Sequence, residues 1–262
     1  KKGVSMQIES VRGVHEVVIY RIENGSEVEA LRETRSGEHT LNYAPEIDFT
    51  EATSKLKVVV SDGREGKEAT GYVKAYVNMD VATLNVGSQP LANNAHEKYP
   101  DAFGMVSLND LKTYSVDYAI ANEANAKNID FKFYCFGAAG SPRLYSMDNT
   151  GKDGEFSGST GKLSAIKVKN LTRFAILSNF DYENATVTSI SSEILSSSIT
   201  QSLLDPIAVG NIIAFRTGGS SAAGGGRIGV MKVINITEPK DLVSSNATAR
   251  VMTVEIKFPQ KK

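Results

Sequence analysis

Val14-His15-Glu16-Val17-Val18-Ile19-Tyr20-Arg21-Ile22-Glu23-Asn24-Gly25 decides the fold class. Val14, Val17, Val18, Ile19 and Ile22 are β-branched, a side-chain shape that packs well on a pleated strand and is restricted in a helix. Asn24-Gly25 ends the run with a strong two-residue hairpin signal, because both residues tolerate the positive φ that a tight hairpin turn needs. Upstream, Val4, Met6 and Ile8 alternate with Ser5, Gln7 and Glu9, the period of a half-buried strand. Downstream, Leu56, Val58 and Val60 share one face while Lys55 and Lys57 take the other. Asp62-Gly63-Arg64-Glu65-Gly66 then turns the chain, and Val73, Ala75 and Val77 alternate with Tyr72, Lys74 and Tyr76 on the return. Short alternating strands with polar turns predict a small β-sandwich over residues 1–79.

The remainder, residues 80–262, reads as a larger β-rich domain with one or two short helices, so the expected class is mainly β with an α+β C-terminal domain. Strands are expected at Val81–Val86, Phe103–Leu108 and Asn128–Phe136. A short helix is expected at Asp117–Ala126, with Ser115 or Asp117 as its N-cap. Residues 137–161 read as a loop, rich in Gly, Ser, Asp and Asn. Ile190, Ile194, Ile199 and Leu203 recur near helical spacing, which predicts a second helix over Ser191–Leu204, stopped at Asp205-Pro206. Ile212–Phe215, Ile228–Ile236 and Val251–Phe258 are β-branched runs that predict an antiparallel meander.

At 262 residues the chain is long enough for two domains, and 41% hydrophobic with 23% charged residues is enough to form packed cores. A formal charge of −1 leaves no cationic footprint for nucleic acid, and Lys1-Lys2 and Lys261-Lys262 read as solvated termini. No apolar run approaches the roughly 18–20 residues of a membrane span. The first residue is Lys1, from which a processed or truncated chain is expected, with any signal peptide or lipid-anchor cysteine upstream.

Two resemblances add to this reading. The hairpin Val58-Val59-Val60-Ser61-Asp62-Gly63-Arg64-Glu65-Gly66-Lys67 resembles the closing hairpin of bacterial immunoglobulin-like or cadherin-like modules. That resemblance covers residues 1–79 and implies a spacer or adhesion-type module. Over residues 105–258, a series of short elements is similar in order to exported Bacteroidetes surface lipoproteins of uncharacterised function. It runs from Tyr114-Ser115-Val116-Asp117-Tyr118-Ala119 through Asn128-Ile129-Asp130-Phe131-Lys132-Phe133-Tyr134, Ser141-Pro142 and Asn170-Leu171-Thr172-Arg173-Phe174. Val209-Gly210-Asn211-Ile212-Ile213-Ala214-Phe215 and Gly229-Val230-Met231-Lys232-Val233 close it. The resemblance implies an exported protein of the periplasm or outer-membrane surface, lipid-anchored, and implies no reaction.

Residues that could carry chemistry are few. His15, His39 and His96 belong to no metal-binding or triad spacing. The single cysteine, Cys135, lies in the apolar run Phe131–Phe136 with no histidine nearby, so it reads as an inert buried thiol. Gly218–Gly226 is followed by Arg227-Ile228-Gly229-Val230, a strand where a phosphate loop would open a helix, so a flexible hairpin tip is expected. Asp148, Asp153 and Glu155 are the candidate calcium carboxylates, but Thr150 and Lys152 stand where an EF-hand needs ligands, and the loop reads as a solvated turn. Tyr145, Phe156 and Tyr182 are the candidate ligand-stacking rings in a chain without Trp.

No catalytic residue, cofactor or metal is assigned. Three functions stay open: a surface-anchored binding or structural protein whose partner is a glycan or surface protein; a hydrolase of glycan or peptide using carboxylates such as Asp181, Glu183 and Glu193; or a subunit of a surface assembly. A deep cleft holding two carboxylates with opposed pKa shifts would mark the enzyme, and an exposed unpaired edge strand the assembly subunit.

Overall fold

A computed structural model of the chain describes residues 2–136, 140–242, 246 and 248–261. The expected loop positions 137–139, the termini Lys1 and Lys262, and positions 243–245 and 247 before the last strand lie outside the described residues. The protein is mainly β, with three short α-helices among the described residues. Two compact units divide it: Lys1–Met79 with Glu183–Ser192, and Asp80–Tyr182 with Glu193–Lys262.

Asn24 and Gly25 take φ of 50° and 82°, and the turn they form closes a hairpin much longer than the short strands expected. Strands β1 (Lys2–Gly3), β2 (Met6–Glu23), β3 (Ser26–Tyr43) and β4 (Glu46–Ile47) form its two arms. Gly3 pairs with Glu46 in the register that pairs Met6 with Tyr43, so the β1–β4 ribbon prolongs the β2–β3 hairpin. The register slips between Glu9 and Val14, where Gly13 and Gly37 have φ of 90° and 92°. A Cβ on Gly13 would strike the Gly37 backbone, so glycine is required where the arms cross at the bulge. Beyond it follow β5 (Thr53–Ser61) and β6 (Glu68–Lys74), giving the sheet order β3-β2-β5-β6. Val14, Val17 and Ile19 of one arm, Leu41, Tyr43 and Ile47 of the other, and Leu56 and Val58 of β5 share one apolar cluster. The cluster draws on two 18-residue strands and β5 rather than on many short strands.

The second unit carries two five-stranded sheets. One has the order β13-β11-β10-β8-β9, from β8 (Met105–Ser107), β9 (Lys112–Tyr114), β10 (Phe131–Phe136), β11 (Ser141–Ser146) and β13 (Leu203–Leu204). The other has the order β12-β14-β15-β16-β7, from β7 (Met79–Gly87), β12 (Arg173–Leu177), β14 (Ile212–Arg216), β15 (Ile228–Ile236) and β16 (Val251–Pro259). Phe131, Phe133 and Cys135 of β10 point into one core with Ile213, Phe215, Met231, Val254 and Ile256 from the second sheet. Two sheets sealing one apolar layer make a β-sandwich. The period-two alternation puts Tyr134 on the opposite face, where Tyr145, Val116, Ala119 and Ala126 form a second cluster beneath α1 (Val116–Ala121) and α2 (Glu123–Lys127).

Several local expectations change. The helix expected over Asp117–Ala126 is two short helices, capped by Ser115 accepting from the Tyr118 amide and by Asn122 accepting from the Asn125 amide. Residues 141–146, expected as loop, are β11, paired along their full length with β10. The expected Ser191–Leu204 helix also fails: α3 spans Val187–Glu193, and Ser196–Ser198 is a single 3-10 turn. Ile190, Ile194 and Ile199 are buried as a helix would require. Yet the Ser198 hydroxyl bonds the Leu195 carbonyl, the local competition that disfavours serine runs inside helices. The meander of the last three strands forms as expected.

Candidate functional site

Tyr145, Phe156 and Tyr182 are all buried, so none presents a ring face to a ligand. Tyr145 meets Tyr134 edge-to-face at 5.7 Å, and Phe156 packs beside Tyr134 in the same cluster. Tyr182 donates its hydroxyl to the Glu255 carbonyl at 2.7 Å and lays its ring over the buried ammonium of Lys257 at 4.4 Å. Sequence gave no signal separating a loop aromatic from one that seals a core edge.

Asp148, Asp153 and Glu155 do not converge. Asp148 takes two parallel hydrogen bonds from the Arg173 guanidinium at 2.8 Å each. Asp153 binds Lys132 at 2.7 Å and Lys169 at 3.4 Å. Glu155 binds Lys152 at 2.8 Å and accepts from the Tyr134 hydroxyl at 2.5 Å. Each carboxylate is answered by its own cation, and no metal-ligating cluster occurs among the described residues.

The histidines are equally dispersed: His39 Nδ1 lies 3.0 Å from the Ser10 carbonyl, and His96 Nδ1 accepts from the Lys98 amide. Burial pushes the Cys135 thiol up to about 12, which makes it a poor nucleophile.

One carboxylate pair does have opposed shifts. Burial pushes Asp130 up to about 7, against a Ser221 hydrogen bond and the Leu108 amide. Burial would also raise Asp110, but hydrogen bonds from Tyr114, Asn128 and Asn109 outweigh it and hold Asp110 below its ordinary value. Asp130 is 0% exposed, so the pair lies in no open cleft and the acid is out of a substrate's reach. The Gly218–Gly226 segment is part of what covers it, and the flexible tip expected there is instead packed. Ala223 enters the sandwich core, the Ala222 amide bonds the Lys127 carbonyl, and Ser220 donates to Asn170 at 2.6 Å.

The second unit carries a depression of ≈ 520 Å³ along β12, the outermost strand of its sheet. β12 pairs with β14 through Arg173–Leu177. On its other side, the Phe174 amide donates to the Gln201 carbonyl at 2.8 Å, and the Gln201 amide returns to the Phe174 carbonyl at 3.1 Å. Antiparallel pairing alternates inward and outward peptide groups, so Ile176 presents its N–H and C=O to the same side as Phe174. Gln201 fills the first position of that lane; the next, beside Ile176, opens into the depression. The Ile176 side chain is 48% exposed there.

The far wall is fixed rather than loose. Arg216 of β14 donates to the Ser196 hydroxyl at 3.2 Å and the Ile199 carbonyl at 3.4 Å. Ile194 and Ile199 anchor the turn on both sides, while Leu195 between them is 66% exposed. Ser178, Asn179, Ser198 and Gln201 offer polar groups, and Glu193 supplies the only charge of the lining. Such a surface can pair a backbone and seat small side chains; it has no nucleophile–base couple. Sequence reasoning missed β12 because its outward partner, Gln201, lies 27 positions from Phe174 along the chain.

No family model, curated protein or solved structure matches this chain.

Proposed function

We propose that the chain is an exported, surface-anchored binding protein that takes an extended polypeptide segment as an added strand on β12. The observation that carries this reading is the half-filled lane: Gln201 already pairs with Phe174 as an added strand would, and the Ile176 peptide group continues the lane into an open depression. Backbone pairing supplies the affinity in this mode, and alternate side chains supply the selectivity. Exposed Ile176 and Leu195 favour an apolar side chain in the segment, and Glu193 favours a basic residue at its end. The export and lipid anchor rest on the likeness to Bacteroidetes surface lipoproteins; among the described residues no helix is long and apolar enough to cross a membrane. A hydrolase would need a second carboxylate across the depression from Glu193, and Glu193 is the only charge of that lining.

The test is selection of a displayed peptide library on the protein and on Ile176→Pro. Proline at 176 removes the outward N–H and leaves the groups facing β14 in place. Peptides enriched on the parent protein, lost on Ile176→Pro and slowing hydrogen exchange at the Ile176 amide support the reading. No enrichment, or enrichment equal on both proteins, overturns it. Surface proteolysis of intact cells expressing the natural protein tests the location.

A further inference from the structure

The two edges of the first unit's sheet are built differently. β3 carries Glu27, Glu29, Arg32, Glu33, Arg35 and Glu38, and its pairing with β2 slips register repeatedly. Charge and bulges are the usual devices that stop an edge from pairing with another chain. β6, the opposite edge, reads Glu68-Ala69-Thr70-Gly71-Tyr72-Val73-Lys74, and every residue is exposed. It pairs with β5 without a slip. Charges stand only at its ends and have opposite signs.

We propose that β6 pairs antiparallel with β6 of a second copy of this chain, about a two-fold axis at Gly71. The Ala75 amide donates to the Ser54 carbonyl on β5, so the odd-numbered residues of β6 bond inward and Glu68, Thr70, Tyr72 and Lys74 turn their peptide groups outward. Centring the pair on Gly71 sets Glu68 opposite the second copy's Lys74 and Thr70 opposite its Tyr72, and these are the residues whose N–H and C=O are outward. Residues directly opposite point to one face, so each Glu lies beside a Lys and each tyrosine ring covers a threonine. On the other face Ala69 meets Val73, which is 45% exposed in the single chain. Sliding the pair by two residues keeps the backbone bonds but separates the charges, so electrostatics selects this one register. Lys74 also binds Glu183 at 2.8 Å in its own chain, with both side chains about half exposed.

Sedimentation equilibrium of the full chain, run up to about 1 mM because a seven-residue strand pair is a small interface, reads the outcome. The parent mass rises with concentration from 28.2 kDa toward its double. Glu68→Lys and Lys74→Glu, each alone, place like charges at both ends of the pair and weaken self-association at least tenfold. An equimolar mixture of the two variants restores attraction at both ends, so it associates at least as strongly as the parent. Thr70→Pro removes an outward N–H, keeps the inward pairing with β5, and abolishes association while circular dichroism stays that of the parent. A chain that remains 28.2 kDa throughout, or a dimer that neither the charge changes nor Thr70→Pro alters, overturns the proposal.

Discussion

Lys132 Nζ lies 2.7 Å from Asp153 Oδ1, with both side chains sealed inside the second unit. The ammonium also donates to the carbonyls of Asn149 at 3.0 Å and Ser146 at 3.4 Å. Burial pulls the Lys132 ammonium below its ordinary pKa, and Asp153 opposes that pull. The pair therefore ties the 149–153 segment to β10 at the cost of desolvating two ions.

The two halves of this pair are not equivalent. Asp153→Ala leaves a buried ammonium with carbonyls alone, and a loss of about 3–5 kcal/mol is expected, the usual result of orphaning a buried charge. Lys132→Met leaves Asp153 with Lys169, 34% exposed and 3.4 Å away, so its loss is smaller. Urea unfolding of both variants checks the order; equal losses would show that Lys169 does not support the carboxylate.

Calcium follows from the same geometry. Asp148 and Asp153 already hold cations in bonded contact, so an incoming ion must displace Arg173, Lys132 and Lys169. Adding millimolar calcium is expected to leave the melting temperature unchanged. A rise that follows calcium concentration and disappears in Asp153→Ala would show a site that these ion pairs conceal.

The Gly218–Gly226 segment is expected to be indispensable. Asn170 donates to the Lys127 and Ile129 carbonyls at 2.8 and 2.7 Å and accepts from Ser220, fastening the segment to α2 and β10. Replacing 218–226 with Asn-Gly removes Ala223 from the core and should cost more than about 2 kcal/mol. Asn170→Ala removes the Ile129 carbonyl's side-chain donor, while the Lys127 carbonyl keeps the Ala222 amide, and should cost about 1–3 kcal/mol. A replacement that melts with the parent protein would return this segment to the mobile tip its composition suggests.

Much of the fold was legible where local preference and burial agree. Val14–Ile22 with Asn24-Gly25, and the runs at 212–215, 228–236 and 251–258, carry period-two or β-branched signals that tertiary contacts reinforce. Legibility stopped where a partner far along the chain decides the outcome. Lys132 looks like the polar side of a strand, yet Asp153, 21 residues on, makes it a core residue. Ser141–Ser146 lies in a stretch rich in Gly, Ser, Asp and Asn that looks like loop, yet β10 holds it as a strand. Gly218–Gly226 looks unstructured because small side chains carry no pattern, although smallness is what lets it pack closely. The β12 lane was invisible for the same reason, since an edge is a property of which strands are missing beside it.

Asp130 supplies the pH dependence. Its Oδ2 accepts the Leu108 amide at 2.8 Å, and Ser221 is the other polar group beside the carboxyl. Burial raises its pKa from 3.8 to about 7. Between those values the folded chain keeps a proton that the unfolded chain has released. Stability from this group is therefore complete below pH 3.8, falls as pH rises through the window, and stays reduced above about 7. The greatest slope is about 1.4 kcal/mol per pH unit. Asp130→Asn keeps an oxygen for Leu108, offers its amide hydrogens toward Ser221, and carries no charge at any pH. Urea midpoints from pH 4 to 8 should show the variant close to the parent at the acid end and increasingly more stable toward pH 8. Other titrating groups cancel in that difference. Parallel curves would mean that Asp130 is ionised in the folded chain and that water or a cation reaches Oδ1.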